Sequence, residues 1–228
     1  MSHRLSHRLS HRLSHRHPDH LPQLLVIAKE PVPGRVKTRL TPPFSPEQAA
    51  VLAEAALRDS LRAVAATPAA QRVLALDGLP GSWLPPGLVV IPQRGAGLDE
   101  RLAAAFSDAC RLRPGPVVLI GMDTPQVTPA LLDEAGAALT EHDAVYGPAA
   151  DGGFWLLGLR RPDPALLLGV PMSRPDTGKL QLDRLERAGL SVLLLPELTD
   201  VDTAADAATV AGQAPGSCFA AALRELGR

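Results

Sequence analysis

Four basic residues lie close together in a stiff loop that follows the first apolar run of the sequence, LLVIA. The stretch AKEPVPGRVKTRL carries Lys29, Arg35, Lys37 and Arg39. Cations neutralise phosphate oxygens, and a guanidinium can bind two oxygens at once. Two prolines stiffen the loop, and Gly34 permits close backbone approach to a ligand. It is not a Walker A loop, because it has one glycine and lacks the Gly-Lys-Ser/Thr ending. The loop therefore predicts a phosphate or polyphosphate site, with a solvated basic loop as the alternative.

Three further loops place carboxylates after or beside apolar runs. Asp123 follows VVLIGM, Asp151 precedes two glycines in AADGGFW, and Asp200 and Asp202 follow SVLLLPELT. Carboxylate oxygens are the ligands that Mg²⁺ prefers, and the ion is often shared with substrate phosphates. The alternatives are a turn residue for Asp123, a hairpin for DGG, and a helix N-cap for Asp202 or Thr203. Together with the basic loop, the carboxylates predict a site for a metal ion and a phosphorylated ligand.

Short apolar runs alternate with helical patterns along the chain. The helical segments include one with Ser45 as N-cap before Pro46, and one with Leu98, Leu102 and Phe106 on a single stripe. The predicted strands are Leu24–Ala28, Arg72–Leu76, Leu88–Ile91, Val117–Gly121, Asp143–Gly147, Phe154–Leu159 and Ser191–Leu195. This alternation predicts an α/β sandwich with a mainly parallel sheet. Ligands bind beyond the carboxyl ends of such strands, where these loops lie.

The first twenty residues differ from the rest of the chain. They repeat the unit SHRL and are predicted to be a disordered tail, whereas residues 21–228 are predicted to form a single domain. The tail holds four arginines and one aspartate in a chain of net charge −1, so the remainder is more acidic than the whole. That balance argues against nucleic-acid binding. Neither a secretory signal nor an apolar run of about 18 residues is present, which predicts a cytoplasmic protein without a membrane partner.

Histidine and cysteine offer little for catalysis. Six of the seven histidines lie in the tail, which leaves His142, and Cys110 and Cys218 have no CxxC spacing. Thiol–His and Ser–His catalysis and Cys/His zinc sites are therefore weakly supported. The chemistry is expected to depend on cations, carboxylates and a bound metal ion.

Five motifs in order resemble a bacterial glycosyltransferase family. They are AKEPVPGRVKTRL, QRGAGLDERL, GMDTPQVTPALL, GPAADGGFWLLGL and DVDTAADA, and the resemblance covers about residues 22–213. The family is the radical-SAM/selenodomain-associated one, with members in arsenosugar biosynthesis. It resembles the nucleotide-diphospho-sugar transferase (GT-A) superfamily and, more distantly, the guanylyltransferases of molybdenum cofactor and 2-phospholactate. The chain departs from better-known relatives in having GMD in place of DxD and no GxGxR loop.

The resemblance implies a fold and a role for particular residues. The fold would be a three-layer α/β/α sandwich with a mixed, mainly parallel sheet. Asp123 would be the main Mg²⁺ or Mn²⁺ ligand and a catalytic residue, with Asp200 or Asp202 as a second ligand. Asp151 would border the acceptor and is the candidate base. The residues implied in nucleotide binding are Lys29, Gly34, Arg35, Lys37, Arg39, Gln93, Gly97 and Arg101, and those implied in substrate binding are Gly152, Gly153, Ser173 and Thr177.

Three functions are compatible with these residues. The first is a metal-dependent glycosyltransferase that passes sugar from a nucleotide-activated donor to a small-molecule acceptor. The second is a nucleotidyltransferase that moves a nucleoside monophosphate from a triphosphate to a phosphorylated small molecule. The third is a nucleotide-binding module without catalysis, in which the basic tail is the working part. The sequence does not determine the oligomeric state.

Overall fold

One mixed sheet organises the protein, whose computed structural model describes residues 21–227. The tail predicted to be disordered lies outside the described residues, and the single domain over 21–228 stays a prediction. The strands are β1 (Gln23–Lys29), β2 (Gln71–Asp77), β3 (Val89–Pro92), β4 (Val117–Ile120), β5 (Ala144–Pro148), β6 (Phe154–Leu159) and β7 (Val192–Leu194). Their order across the sheet is β3-β2-β1-β4-β6-β5-β7.

Strand direction brings the loops of interest to one edge of the sheet. β1 pairs in parallel with β2 and β4, β2 with β3, and β5 with β7. Only β6 among the described strands runs antiparallel, against β4 and β5. The carboxyl ends of the six parallel strands therefore share one edge, at which β6 begins. The prediction of a mixed, mainly parallel sheet is confirmed.

The helices begin where the sequence provides caps. They are α1 (Pro46–Ala66), α2 (Leu98–Leu112), α3 (Pro129–Ala138), α4 (Thr177–Arg187), α5 (Ala204–Gln213) and α6 (Cys218–Leu226), with 3-10 turns at Thr38–Leu40 and Pro164–Leu166. Ser45 and Gln48 form a capping box before α1, and Thr203 and Asp206 form one before α5. Thr203, not Asp202, is thus the N-cap of α5, so Asp202 keeps its carboxylate for other contacts.

Alternating strand residues supply two cores, one on each face of the sheet. Leu24 and Val26 pack with Leu57 of α1 and Leu132 of α3 on one face. Leu25 packs on the other face, in a cluster with Phe106 of α2 and Leu185 of α4. Helices cover both faces of the central part of the sheet, which explains why β4 and β6 are apolar along almost their whole length. The three-layer α/β/α sandwich is confirmed.

A further layer lies outside α1. Leu52 of α1 is fully buried in a third cluster with Val210 of α5 and Phe219 of α6. Helix α1 is therefore covered on two sides, which accounts for its many alanines. Within the part of the chain that the structure describes, no helix is long and apolar enough to cross a membrane.

Asp59 joins this outer layer to α1 and gives a first prediction. Its carboxylate accepts hydrogen bonds from the backbone N–H groups of Cys218 and Phe219, at 2.9 and 2.8 Å, at the start of α6. Asp59→Ala leaves both donors without this acceptor and removes a negative charge from the positive end of the helix. We expect a loss of about 2–4 kcal/mol in the free energy of unfolding, measured by urea denaturation.

The matched control is Glu54→Ala on the same helix. Glu54 pairs with Arg58 at i,i+4, and both side chains are 37% exposed. The loss should stay below about 0.5 kcal/mol. Equal losses for the two variants would contradict the role given to Asp59.

Candidate active site

A cavity of about 780 Å³ opens at the edge where the parallel strands end. Its walls come from the basic loop after β1, the segment that joins β3 to α2, and the loop after β4. The β5–β6 hairpin, the loop before α4 and the segment between β7 and α5 complete it. These loops come from widely separated parts of the sequence and meet because the strands are parallel.

Most of the residues singled out from the sequence line this cavity. They are Lys29, Arg35, Lys37, Arg39, Gln93, Arg101, Asp123, Asp151, Gly153, Ser173, Thr177, Asp200 and Asp202. Gly34, Gly97 and Gly152 do not line it. Gly34 has a φ of +74° at the tip of the basic loop, and Gly97 is the N-cap of α2. These glycines shape the loops. The ligand-binding roles of all the residues predicted from the sequence stay predictions.

The four cations of the basic loop fall into two pairs. The side chains of Lys29 and Arg35 are exposed in the cavity and have no hydrogen-bond or ion-pair partner among residues 21–227. Lys37 and Arg39 instead contact carboxylates from distant loops. Two cations are thus free for an anionic ligand, and two already balance the protein's own negative charge.

Lys37 is the centre of the charged cluster. Its Nζ lies 2.9 Å from Oδ2 of Asp123 and 3.2 Å from Oδ1 of Asp202, and its side chain is 8% exposed. Arg39 binds the other oxygen of Asp202 at 3.1 Å. Burial alone would lower the pKa of Lys37, but the two carboxylates outweigh that effect and the pKa is raised. Lys37 is therefore firmly protonated.

Asp200 lies in the same cluster, and the pKa of its carboxyl is raised. Burial raises the pKa of its carboxyl to about 7, and the negative charges of Asp123, Asp151 and Asp202 add to the shift, which Lys37 opposes. Carboxylates that repel one another in a partly buried site favour a cation among them. The sequence could not reveal this coupling, because the residues are brought together only by the fold.

The donor set suits a hard divalent cation. One carboxylate oxygen of Asp123, Oδ1, is buried and has no hydrogen-bond partner in the part of the chain that the structure describes. Such an orphaned acceptor is costly unless a cation or water satisfies it. Nevertheless, no group of three or more His, Cys, Asp or Glu within residues 21–227 stands close enough to hold a metal as the side chains are arranged here. The ammonium of Lys37 stands between two of the candidate ligands. Carboxylate oxygens are the type of ligand that Mg²⁺ or Mn²⁺ prefers. As they are arranged here, they bind the ammonium of Lys37.

The DGG sequence is both a hairpin turn and part of the cavity wall. Asp151 Oδ1 accepts a hydrogen bond from the N–H of Gly153 at 2.8 Å, between the antiparallel strands β5 and β6. Gly152 has a φ of +87°, and its carbonyl accepts from the N–H of Gly178 at 2.7 Å. The turn is thereby fastened to the start of α4.

The loop before α4 is braced from within. The Thr177 hydroxyl donates to the carbonyl of Pro171 at 2.9 Å and accepts from the N–H of Arg174 at 3.0 Å. Ser173 is exposed, with its backbone in the left-handed region at a φ of 58°. Thr177 thus shapes the loop, and Ser173 and Arg174 face the cavity opening.

Gln93 and Arg101 form the opposite end of the cavity. The Gln93 Nε2 donates to the carbonyls of Ala28 and Ala75, at 2.7 and 3.1 Å, which fixes the amide against the ends of β1 and β2. Arg101 donates to the carboxylate of Asp77 at 3.0 Å. Both side chains are held in place before any ligand arrives, which favours binding.

The sequence reasoning missed several lining residues. Arg174 brings a further guanidinium, which is paired with Asp176, while Leu98 and Phe154 bring apolar surface. Arg174 could have been found from the sequence, because it lies between a serine and a proline in a loop already predicted to bind substrate. Leu98 belonged to the apolar stripe predicted for α2, and it is 42% exposed because it lines the cavity.

The middle of the chain matches a known bacterial protein family. The profile of the family described as "Uncharacterized protein conserved in bacteria (DUF2064)" matches residues 51–174. The chain belongs to this family. The match includes Asp123, Asp151 and the segment from Gln93 to Arg101, so the DUF2064 region supplies much of the cavity wall.

Three relatives extend the comparison beyond this region. A 2-phospho-L-lactate guanylyltransferase of Natrialba magadii is 30% identical over 218 residues, which are 84% of this chain and 88% of the relative. A candidate nucleotide-diphospho-sugar transferase of Desulfovibrio desulfuricans G20 is 30% identical, with a TM-score of 0.81 over 89% of this chain and 94% of its own. The 2-C-methyl-D-erythritol 4-phosphate cytidylyltransferase of Thermus thermophilus is 18% identical, with a TM-score of 0.53 over 86% and 98%.

These matches confirm the coarser predictions. The fold is that of the nucleotide-diphospho-sugar transferase-like proteins, and the chain is an enzyme of the transferase class. The cytidylyltransferase supports the fold alone. The two relatives at 30% identity support a function in transferring nucleotides or nucleotide-linked groups. Which reaction the protein catalyses is proposed below.

Gly152→Ala tests the fastening of the hairpin to α4. A Cβ at position 152 would lie 1.9 Å from the carbonyl oxygen of Pro175, and the φ of +87° disfavours any side chain. We expect a loss of about 2 kcal/mol or more in the free energy of unfolding, measured by chemical denaturation. In the control Gly153→Ala, the Cβ meets only the Asp151 side chain at 3.0 Å, without a positive φ. A loss at Gly153 as large as that at Gly152 would count against this account.

Asp200→Asn tests the raised pKa. Because the folded pKa of about 7 exceeds the unfolded value near 3.8, ionised Asp200 disfavours folding, and wild-type stability should fall as the pH rises from about 4 to 7. The asparagine variant lacks this dependence. Its melting temperature should therefore exceed that of the wild type at pH 8 by more than at pH 5, by roughly 2–4 °C for each kcal/mol relieved. An unchanged difference between the two pH values, in metal-free buffer, would refute the shift.

Proposed function

We propose that the protein is a nucleotidyltransferase that moves a nucleoside monophosphate from a triphosphate to a phosphorylated small molecule. The carrying observation is the division of charge within one cavity. Lys29 and Arg35, whose side chains have no partner among the described residues, lie on one wall, and Asp123, with a buried oxygen that is unpaired within the same residues, lies on another. A triphosphate needs the cations for its oxygens and the carboxylate for the cation that accompanies it.

The phosphates of the donor would bind at the basic loop. Lys29 and Arg35 are free to take them, while Gln93 and Arg101 shape the far end of the cavity for the nucleoside. Positioning and charge stabilisation provide most of the acceleration in phosphoryl-type transfers. The site therefore needs few reactive side chains, in agreement with the lack of a nucleophilic cysteine or histidine among the described residues that line the cavity.

Asp123 would hold Mg²⁺ or Mn²⁺, with Asp200 or Asp202 as the second ligand. When bound, such an ion would neutralise charge on the phosphates during transfer. Asp123 contributes its orphaned oxygen, and the raised pKa of Asp200 marks it as a carboxyl that a nearby cation would ionise.

The acceptor would enter beside the β5–β6 hairpin and the loop before α4. One of its phosphate oxygens would attack the α-phosphorus, the bond to the β-phosphate oxygen would break, and pyrophosphate would leave. A phosphate oxygen is already ionised at neutral pH and needs no base. Arg174 lines this side of the cavity, where its guanidinium pairs with both oxygens of Asp176 at 2.9 and 3.0 Å, and its remaining N–H groups would attract the acceptor's charge. Gly153 and Ser173 would contact it, and Thr177 would hold the loop in shape.

Glycosyl transfer from a nucleotide-activated sugar is the second candidate. It is favoured by the likeness to the Desulfovibrio protein described as a candidate nucleotide-diphospho-sugar transferase. Attack by a hydroxyl would call for a base, and Asp151 is the cavity-lining carboxylate nearest that role. Its engagement with the Gly153 N–H makes it less available, which is why the nucleotidyl reaction is preferred here.

Finer assignments stay predictions within this proposal. They are membership in the arsenosugar-type subfamily, the cytoplasmic location, the division of the chain into tail and domain, and partners limited to a nucleotide and a small acceptor. The non-catalytic alternative is disfavoured by the transferase relatives at 30% identity.

Release of pyrophosphate tests the proposed reaction. GTP, CTP, UTP and ATP are each supplied with Mn²⁺ and a set of phosphorylated acids, beginning with 2-phospho-L-lactate because a relative is named for it. We expect pyrophosphate with at least one pair of substrates. Asp123→Asn should lower kcat about 10²–10³-fold, and Arg35→Ala should mainly raise KM for the nucleotide.

Glu134→Gln on the exposed face of α3 is the control and should leave both constants unchanged. No pyrophosphate from any triphosphate, together with consumption of a nucleotide sugar that depends on Asp123, would replace the nucleotidyl reaction with the glycosyl one. Full activity of Asp123→Asn would overturn both.

A further inference from the structure

Lys37 holds a position that a cofactor would be expected to hold. Its ammonium contacts Asp123 at 2.9 Å and Asp202 at 3.2 Å, two of the three carboxylates proposed as metal ligands. The Lys37 side chain is only 8% exposed, so little water competes with its ammonium for those oxygens. The Lys37 ammonium thus lies between two of the proposed ligands, and Arg39 binds the outer oxygen of Asp202.

We infer that the Lys37 ammonium is an internal counter-ion that occupies the place of a divalent cation between Asp123 and Asp202, and is displaced when that cation binds. The inference rests on the proposed role of the carboxylates as metal ligands. It goes beyond the phosphate contact expected of the basic loop, because it assigns Lys37 two carboxylate partners and a cation that displaces it from them.

Electrostatics explains why the place has to be filled. Without Lys37, Asp123 and Asp202 would face one another in a partly buried site with Asp200 and Asp151 nearby, and repulsion between like charges is strong where water is partly excluded. Arg39 cannot substitute, because it is 69% exposed and binds only the outer oxygen of Asp202. Lys37 therefore keeps the ligand set together, and it does so at the cost of blocking two of its oxygens.

The same geometry explains how Lys37 can be released. It lies in the basic loop two residues from Arg35, whose side chain has no partner among residues 21–227. Because Arg35 and Lys37 line the same cavity, phosphates bound by Arg35 would offer the Lys37 ammonium an alternative anionic partner there. The backbone of Lys37 is in the left-handed region, with φ 47° and ψ 39°, a conformation that a non-glycine residue keeps only when its surroundings hold it.

A coupling between the two ligands follows. If a bound phosphate draws Lys37 away, the carboxylates bind a divalent cation more tightly, and linkage requires the cation to strengthen phosphate binding by the same factor. The cation alone would bind weakly, because it has to displace an ion pair. The protein would thus favour joint binding of cation and nucleotide.

The test is Mn²⁺ binding without nucleotide, by titration calorimetry at constant ionic strength, to the wild type, Lys37→Met and Lys29→Met. Lys29 is the matched control, because it is a lysine of the same loop and cavity but has no carboxylate partner in the described residues. We expect Lys37→Met to tighten Mn²⁺ binding by about tenfold or more, since it frees oxygens as well as removing charge. Lys29→Met should tighten it less than about threefold, through screened long-range charge alone.

Equal effects of the two substitutions, or weaker Mn²⁺ binding by Lys37→Met, would overturn the inference. Lys37→Gln repeats the test should the methionine variant fold poorly. A measurement on the wild type is independent of any substitution: limited acetylation of lysine amines, read by peptide mass spectrometry. Lys37 should react several-fold more slowly than the exposed Lys29, and Mn²⁺ should speed the labelling of Lys37 relative to Lys29. A ratio that Mn²⁺ leaves unchanged, or lowers, would contradict displacement.

These outcomes are separable from those of the proposed function. Pyrophosphate release that depends on Asp123, combined with equal Mn²⁺ affinities of the two lysine variants, would retain the reaction and reject the role of Lys37. Tighter Mn²⁺ binding by Lys37→Met, without any pyrophosphate release, would retain the counter-ion and reject the nucleotidyl reaction.

Discussion

The ion pairs of Lys37 connect three distant parts of the chain. One ammonium joins the loop after β1 to Asp123, after β4, and to Asp202, which is 165 residues away in sequence. Removing a charge from water is costly, and a nearly buried lysine persists only if its partners repay that cost. Here two carboxylates do so, and the raised pKa of Lys37 shows that attraction exceeds the burial penalty. The shape of the cavity follows, because its basic and acidic walls are fastened to one another at this point.

Much of the fold could be predicted from the sequence because its signals are local. The apolar runs predict the strands to within a residue or two, and Ser45 before Pro46 predicts the start of α1. Parallel strands then determine which loops meet. The packing of α5 and α6 against the outside of α1 could not be predicted in the same way. It depends on which faces of α1 remain apolar once the sheet is covered, and an alanine-rich helix does not reveal this.

The candidate site was predictable in its membership and not in its connections. Charged residues at strand ends could be named from their positions, and most of them line one cavity. The sequence could not say that Lys37 and Arg39 bind carboxylates while Lys29 and Arg35 have no partner within residues 21–227, since that depends on side-chain reach across loops. The roles of the glycines were the hardest to predict from the sequence. A glycine beside a ligand and a glycine in a tight turn look alike in sequence, and Gly152 is needed for its contact with Pro175.

The cavity is also where the protein departs from what stability alone would select. Lys37 and Ser173, the two non-glycine residues with positive φ in the described chain, both line it. Asp200 is held with its pKa raised to about 7, and Asp123 keeps an oxygen buried without a partner. Each feature disfavours folding, and none is needed to close the sheet or cover its faces. Such features persist in a fold when they serve binding or catalysis, because selection then tolerates their cost. Buried oxygens without a hydrogen-bond partner within residues 21–227 also occur away from the cavity, at Gln23 and Gln181, but the positive φ angles and the raised carboxyl pKa coincide at the cavity, which supports the proposed site on physical grounds that do not depend on the protein's relatives.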